Sequence, residues 1–319
     1  MARTLIIPCG GRRNLDEKPR YLTRHPNGML LLEWCMAGIC PQSFDRIIAV
    51  LLHSDVETYS ADKVLMHELE KKYPLEVVVL PKETAGPADT VYQAISTAKV
   101  TGPVVVKDVD NHVVVPSECI VRGNFVAGLD LNLWERDIHN LRSKSFLLLN
   151  EQGNLVDIIE KQIRSDVICL GLYGFNRAED FVEAYHKMND PSYPITKLYV
   201  SHIISYLIGY YGKVFRYVAS EAFEDWSDKR HWSELQSNRA TYFLDLDGVN
   251  AVGKLQELQK RGATFVGYTV KGQLAGQQMV ETLEAGGISL LDVIYNCPWS
   301  GVKRILETNT DLERRLLEL

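Results

Sequence analysis

Apolar residues fall along this chain in two alternating rhythms. Continuous apolar runs, TLIIP at 4–8, RIIAVLL at 46–52, LEVVVLP at 75–81 and PVVVKD at 103–108, read as strands buried on both faces. Between them, 28–39, 55–73 and 86–100 carry apolar residues at helical spacing. In 55–73 the face is marked by Val56, Tyr59, Val64 and Leu69. Strand–helix alternation of this kind predicts a doubly wound parallel α/β sheet.

The rhythm changes after residue 140. Residues 144–161 read as a hairpin around a Gln-Gly-Asn turn, and 167–175 as a further strand. Residues 196–212 read as a helix with Leu198, Ile203, Ile204 and Leu207 on its apolar face, and 213–219 as a strand. Near residue 240 the pattern restarts with a strand running into DLDGV. A helix at 250–262, a strand at 263–269 and two more helical segments follow. The polar stretch at 233–240 is the natural linker, which divides the chain into 1–237 and 238–319.

Composition adds little to this and excludes some classes. The 319 residues are 46% hydrophobic and 24% charged, an ordinary globular balance. A net charge of -6 argues against a general nucleic-acid binder. The six cysteines, at 9, 35, 40, 119, 169 and 297, form no CxxC pair and read as free thiols of a reducing, cytoplasmic compartment. No zinc spacing occurs. The N-terminal apolar run is too short for a signal peptide, and no run approaches the ~18 residues of a membrane span.

Candidate chemistry sits where the predicted strands end. CGGRRN follows the first strand, yet it is neither a P-loop nor a dinucleotide loop. Gly10 and Gly11 would let backbone approach phosphate oxygens, with Arg12 or Arg13 supplying charge; alone, the segment is equally a tight turn with solvated arginines. Asp108 and Asp110 close the fourth strand, on one face by strand alternation, and are hard ligands suited to Mg²⁺ or simple turn residues. Pro87 marks a helix start, and small Gly86 and Ala88 would let a base lie against backbone. His112, beside the aspartates, reads as a packing residue.

Taken in order, IIPCGGRRN, KPRYL, ETAGPADTV, VKDVDNH, IIEKQ with LGLYGF, and FEDWSDKRHW resemble the nucleotidyltransferases that activate sugar phosphates or phosphocholine. The resemblance covers about the first 235 residues and implies a mixed sheet of the nucleotide-diphospho-sugar transferase type. It further implies an NTP, with a lean to CTP, and a phosphorylated small-molecule acceptor. Mg²⁺ would be held by Asp110 and Asp225, pyrophosphate would be released, and the role would lie in capsule or surface-glycan synthesis. Nucleotide contacts would fall to Cys9, Gly10, Gly11, Arg13, Thr84, Gly86, Pro87 and Ala88, and acceptor contacts to Glu160, Lys161 and Gly171. The cation on the transferring phosphate would be Arg20, Lys18 or Arg12. Here the chain departs from the family, which has Lys where Arg20 stands and a glycine-rich turn where Trp226 and Ser227 stand. Neither nucleic acid nor membrane is implied as a partner, and homo-oligomerisation stays open.

FLDLDGV resembles the first motif of haloacid-dehalogenase-like (HAD) phosphatases, which implies a nucleophile at Asp245, a general acid at Asp247 and a second-motif hydroxyl at Thr269. Only 21 residues separate Asp247 from Thr269, too few for the usual flap and cap. The late lysine and acidic pair have only Lys303 and Asp311 as stand-ins. A phosphoaspartyl mechanism needs the whole set together, so the expectation is a trimmed, inactive relic rather than a working phosphatase. A non-catalytic nucleotide-binding or scaffold protein is the remaining alternative.

Overall fold

The computed structural model describes residues 3–10, 18–25, 27–120, 123–134, 138, 140–190, 197–227, 232, 241–248, 252–260, 263–301 and 314–316. The chain divides into two compact units: Met1–Thr23 with Leu31–Asp228, and Arg24–Leu30 with Lys229–Leu319.

In the larger unit the four apolar runs are strands β1 (Thr4–Pro8), β2 (Arg46–Leu52), β3 (Leu75–Leu80) and β4 (Val104–Lys107), paired in parallel in the order β4-β1-β2-β3. β1, β2 and β4 are buried almost throughout because helices cover both faces. β3 is the edge strand and only partly covered: Leu75, Val78 and Leu80 are buried, and Glu76 and Val79 are exposed. The sheet becomes mixed beyond β4. Strand β5 (Asn111–Val114) leaves it, and β6 (Phe125–Asp130) returns to it. β7 (Ser145–Leu149) and β8 (Leu155–Glu160) form the expected antiparallel hairpin. The long β9 (Val167–Phe175) runs antiparallel between β4 and β6, and β10 (Arg216–Ala219) runs parallel to β6 at the far edge. β11 (Ala222–Asp225) pairs with β5 as a separate ribbon.

The helices are α1 (Leu31–Ala37), α2 (His53–Tyr59), α3 (Ala61–Leu69), α4 (Pro87–Thr97), α5 (Ala178–Met188) and α6 (Val200–Tyr211). The apolar faces of α4, α5 and α6 share one core with the sheet, in which Ile6, Val50, Ala88, Val91, Phe175, Phe181, Ile203 and Ile204 are buried together. Each Val, Ile or Phe side chain among them contributes about 1.5–3 kcal/mol by leaving water.

Two expectations are corrected here. The helix predicted over 55–73 is two helices, because Ser60 adopts a left-handed backbone (φ 49°) that closes α2 and opens α3. Asp108 and Asp110 are not on a strand: β4 ends at Lys107, and residues 108–110 form the turn into β5, so strand alternation does not govern where they point.

The smaller unit contains β12 (Thr241–Asp245), α7 (Val252–Lys260), β13 (Thr264–Tyr268), α8 (Gln273–Ala285), β14 (Leu290–Ile294) and β15 (Arg314–Leu316). Its sheet is parallel throughout, in the order β14-β13-β12-β15. A separate core gathers Leu244, Leu246, Leu255, Phe265, Val280 and Leu283. Among the described residues after 269 come the helix α8, the strand β14 and, at 299–301, the start of a further helical segment, so the two expected helical segments flank a strand that was not expected. A short apolar run such as LLDVI has no periodicity that separates strand from helix.

Candidate functional site

The turn after β4 is fixed from three sides. Beneath it, Lys107 is fully buried and its ammonium donates to the Asp108 carbonyl (2.6 Å) and to the Asn111 carbonyl (2.9 Å) and Oδ1 (2.6 Å). On one side the Asp108 N–H donates to the Gly171 carbonyl in β9 (2.7 Å). Gly171 has φ +67°, and a Cβ there would run into the Asp108 carboxyl. On the other side, Trp226 donates its main-chain N–H to the Asp110 carbonyl (3.0 Å) and its indole N–H to the Val109 carbonyl (3.2 Å).

Asp225 arrives beside this turn because β11 pairs with β5 in a register that sets Asp225 opposite Asn111. Its Oδ1 accepts the Ser227 N–H (2.8 Å) and hydroxyl (2.6 Å), and its Oδ2 accepts the Lys144 ammonium. Burial acts to raise the Asp225 carboxyl, but the Lys144 charge and the Ser227 bonds outweigh it and hold it below the usual carboxylate range. Asp108 goes the other way: burial, then the charge of Asp110, pushes its carboxyl up to about 7. Arg20 reaches the same place from the first 3₁₀ turn, donating to the carbonyls of Trp226 and Ser227 (3.0 Å to the latter). Trp226 and Ser227, the departure from the family's glycine-rich turn, are thus the residues that clamp the 108–110 turn and orient Asp225.

The end of β8 lies alongside. Glu160 accepts hydroxyl bonds from Ser145 and from Ser201 (2.6 Å), and sits opposite Ser145 across the hairpin. Lys161 donates its N–H to the Lys144 carbonyl (3.1 Å) and its ammonium to the Tyr199 hydroxyl. Lys144 therefore links the Glu160–Lys161 pair to Asp225.

The segment expected to read the base packs on the start of α6. Gly86 is buried so close to the Leu198 carbonyl that a Cβ would meet it at 2.6 Å, and the Ala88 N–H donates to that carbonyl (3.2 Å). Thr84 bonds the Thr90 hydroxyl (2.6 Å) and the Gly86 carbonyl (3.2 Å). Pro87 opens α4. A Cβ at Gly10 would touch Leu52 and Thr90, so the start of the glycine loop lies against α4. The Cys9 N–H is already bonded to the Val50 carbonyl (2.9 Å), which leaves that amide unavailable to a phosphate. Lys18 is exposed. Gly11, Arg12 and Arg13 lie outside the described residues. His112 is buried and stacked on Trp34 at 4.0 Å, a packing role.

Sequence reasoning missed Lys144, Lys107, Ser227 and Tyr199 as participants. Lys144 had a signal: counting back from the hairpin turn places it across from Lys161. Lys107 and Ser227 stand close to the aspartates in the sequence, but their bonds to the turn have no pattern that marks them, and Tyr199 meets Lys161 only through tertiary folding.

In the smaller unit, Asp245, Asp247 and Thr269 come together. The Asp247 N–H donates to Asp245 Oδ1 (3.0 Å). The Thr269 hydroxyl lies 2.9 Å from both Asp247 oxygens, the Val270 N–H donates to Asp247 (3.0 Å), and the Lys271 ammonium is 3.2 Å away. Burial acts upward on Asp247, but these donors hold its carboxyl below the usual range. Lys303 and Asp311 lie outside the described residues.

Among the described residues no group of three or more His, Cys, Asp or Glu side chains is gathered as a protein-built metal cage. Mg²⁺ is commonly held by one or two carboxylates together with substrate phosphates and water, so its site need not be such a cage. Asp110 and Asp225 supply hard oxygens of the right kind. Among the described residues no helix is long and apolar enough to cross a membrane.

No protein-family model matches the chain, and comparison with curated proteins gives no match. Solved structures do share its fold. A nucleoside-diphosphate-sugar pyrophosphorylase from Vibrio cholerae is 20% identical, with a TM-score of 0.57 over 73% of this chain and 98% of that one. The inositol-1-phosphate CTP transferase from T. maritima is 15% identical, with a TM-score of 0.55 over 74% and 95%. A UDP-glucose pyrophosphorylase complexed with UDP-glucose is 12% identical, with a TM-score of 0.56 over 74% and 97%. The mixed, doubly wound sheet is thus that of the nucleotide-diphospho-sugar transferase fold.

Proposed function

We propose that the larger unit is a Mg²⁺-dependent nucleotidyltransferase that joins the nucleotidyl group of an NTP to a phosphorylated small molecule and releases pyrophosphate. The observation that carries this reading is the convergence of Asp110, Asp225, Lys144 and Arg20 beside Glu160 and Lys161, on a fold that nucleotidyltransferases use. In open α/β sheets the strand ends are where ligands bind. CTP is the favoured nucleotide, supported by the PRYL and KDVDN segments and by one CTP transferase among the structures of similar fold. A role in capsule or surface-glycan synthesis and a cytoplasmic setting complete the proposal.

An acceptor phosphate oxygen attacks the α-phosphorus. The new P–O bond forms as the bond to the bridging oxygen of the β-phosphate breaks, and pyrophosphate carries that electron pair away. No protein nucleophile is needed, so the residues position and neutralise. Mg²⁺, bound by Asp110 and Asp225, would supply charge neutralisation to the phosphates. Lys144, whose ammonium donates to Asp225 Oδ2, would add a second cation on this side of the site. Arg20 holds the carbonyls of Trp226 and Ser227, so its first role is to keep the Asp225 loop in place. Glu160, fixed by two serine hydroxyls, presents its other oxygen to acceptor hydroxyls.

Pyrophosphate release tests this, measured with Mg²⁺ and each of the four NTPs against phosphorylated sugars, polyols and choline. One NTP–acceptor pair turns over, and Asp110→Asn abolishes that turnover. Silence of the whole panel together with no NTP binding by calorimetry sinks the reading.

The smaller unit supports a second proposal, a HAD-like domain that does not hydrolyse phosphate esters, joined near residue 238. What favours it is Asp247. A carboxylate held by Thr269, Val270 and Lys271 and kept below its usual range is poorly placed to lend a proton near neutrality. Hydrolysis of p-nitrophenyl phosphate that is lost on Asp245→Asn would overturn it.

A further inference from the structure

Tyr199 carries two lysines. The Lys161 ammonium lies 4.2 Å from its ring centre and also bonds its hydroxyl, and the Lys197 ammonium lies 5.2 Å from the same ring centre. Lys161 is held there by a left-handed backbone (φ 55°), a conformation that a lysine adopts at a cost and that here aims its side chain at Tyr199. Both lysines stand open to solvent, Lys161 with 45% of its side chain exposed.

The charges around them do not balance. Glu160 lies 4.0 Å from Lys161, and its other oxygen is already taken by Ser145 and Ser201. Among the described residues neither lysine has another carboxylate partner. The remaining titratable neighbour, His202, accepts the Tyr199 N–H at Nδ1 (3.2 Å) and caps α6. Burial lowers its pKa and favours the neutral imidazole, and in neither form does it offset the lysines. Two ammonium groups thus share one ring, one short step from the Glu160–Lys144–Asp225 line, with a single carboxylate between them. Like charges held together in this way are discharged by an anion. The same arrangement works against a cationic ligand, because the ring that would receive a trimethylammonium group is already faced by built-in cations.

On the transferase reading given above, we infer that the acceptor carries a second anionic group, a carboxylate or a second phosphate, besides the phosphate that attacks. Lys161 and Lys197 hold that group against Tyr199. The site thereby selects acidic phosphorylated metabolites over neutral sugar phosphates, and rejects phosphocholine.

Binding without nucleotide tests this independently of turnover. Glucose 1-phosphate and glucuronic acid 1-phosphate differ only at C6, where a carboxylate replaces the hydroxymethyl group, and each is titrated into the full chain by calorimetry, with phosphocholine as the cationic probe. The glucuronic acid ester binds about tenfold tighter than the glucose ester, the worth of one charge-assisted contact. Phosphocholine binds weakest. Lys197→Met removes the preference and Lys197→Arg keeps it, with thermal unfolding unchanged in both because Lys197 is exposed. Equal affinities, tighter binding of phosphocholine, a preference that survives Lys197→Met, or no binding of any probe overturns the inference. Pyrophosphate release and NTP binding, measured alongside, bear on the transferase reading alone. A neutral sugar phosphate that turns over as well as its acidic counterpart leaves that reading standing and removes this one.

Discussion

Lys144 is the side chain on which the candidate site turns. It is bonded to Asp225 through its ammonium and to Lys161 through its carbonyl, so it couples the carboxylate proposed for the metal to the side proposed for the acceptor. Removing its charge leaves Asp225 buried without its cation and takes one donor from the developing phosphate charge. Lys144→Met lowers kcat about 100-fold, the usual cost of one transition-state donor, with nucleotide binding changed far less. Steady-state kinetics beside calorimetric titration separate the two, and an equal loss in both would assign Lys144 to plain binding. Gly171 makes a backbone argument of the same size. Its φ of +67° and the nearness of the Asp108 carboxyl leave no place for a Cβ. Gly171→Ala destabilises the larger unit by about 1–3 kcal/mol in urea unfolding, and an unchanged midpoint would mean that the Asp108 turn yields freely.

At the scale of elements, the site depends on a ribbon of two four-residue strands, β5 and β11, which lies off the main sheet and carries Asp225 to the aspartate turn. Such a ribbon is marginal by itself, and Trp226 is what anchors it. The side chain is fully buried, and its two N–H groups hold Val109 and Asp110. Trp226→Ala costs about 3–5 kcal/mol through the cavity. Trp226→Phe fills most of the space but leaves the Val109 carbonyl unpaired, at about 1–3 kcal/mol, and lowers turnover more than its stability loss explains. Wild-type turnover in Trp226→Phe would show that the indole bond does not position the turn. This ribbon also marks the limit of what the sequence made legible. The parallel strands β1 to β4 and the β7–β8 hairpin are spelled out by local periodicity and a turn. The end of β4, one residue before Asp108, depends on a buried Lys107 bonding three oxygens across the turn, and the break at Ser60 on a left-handed residue that hydrophobic spacing does not register. Asp225 was legible as a motif residue, but its partnership with Lys144 was not, because β11 reaches the turn only through the register of β5. Tyr199 gave no motif at all. Its importance lies in two lysines, one 38 residues away, that face its ring.

For the molecule as a whole, the decisive feature is that the two units have separate cores. Residues of the larger unit such as Ile6, Phe175 and Ile203 belong to one cluster, and Leu244, Phe265 and Leu283 of the smaller unit to another. Chains built in this way commonly unfold in more than one step. Calorimetric scanning is therefore expected to give two transitions, and the larger unit takes the larger enthalpy because unfolding enthalpy scales with residue number. Substitutions assign them. Trp226→Ala lowers only the larger transition, and Phe265→Ala only the smaller. A nucleotide that binds the folded larger unit stabilises it by about 2.7 kcal/mol at a hundred times its dissociation constant. CTP with Mg²⁺ should then move the Trp226-sensitive transition upward and leave the Phe265-sensitive one in place. If both rise together, the units fold as one, and a ligand bound at the aspartate turn also stabilises the parallel sheet of the smaller unit. If only the Phe265-sensitive transition rises, the nucleotide binds near Asp245, and the catalytic reading passes from Asp110 and Asp225 to the smaller unit.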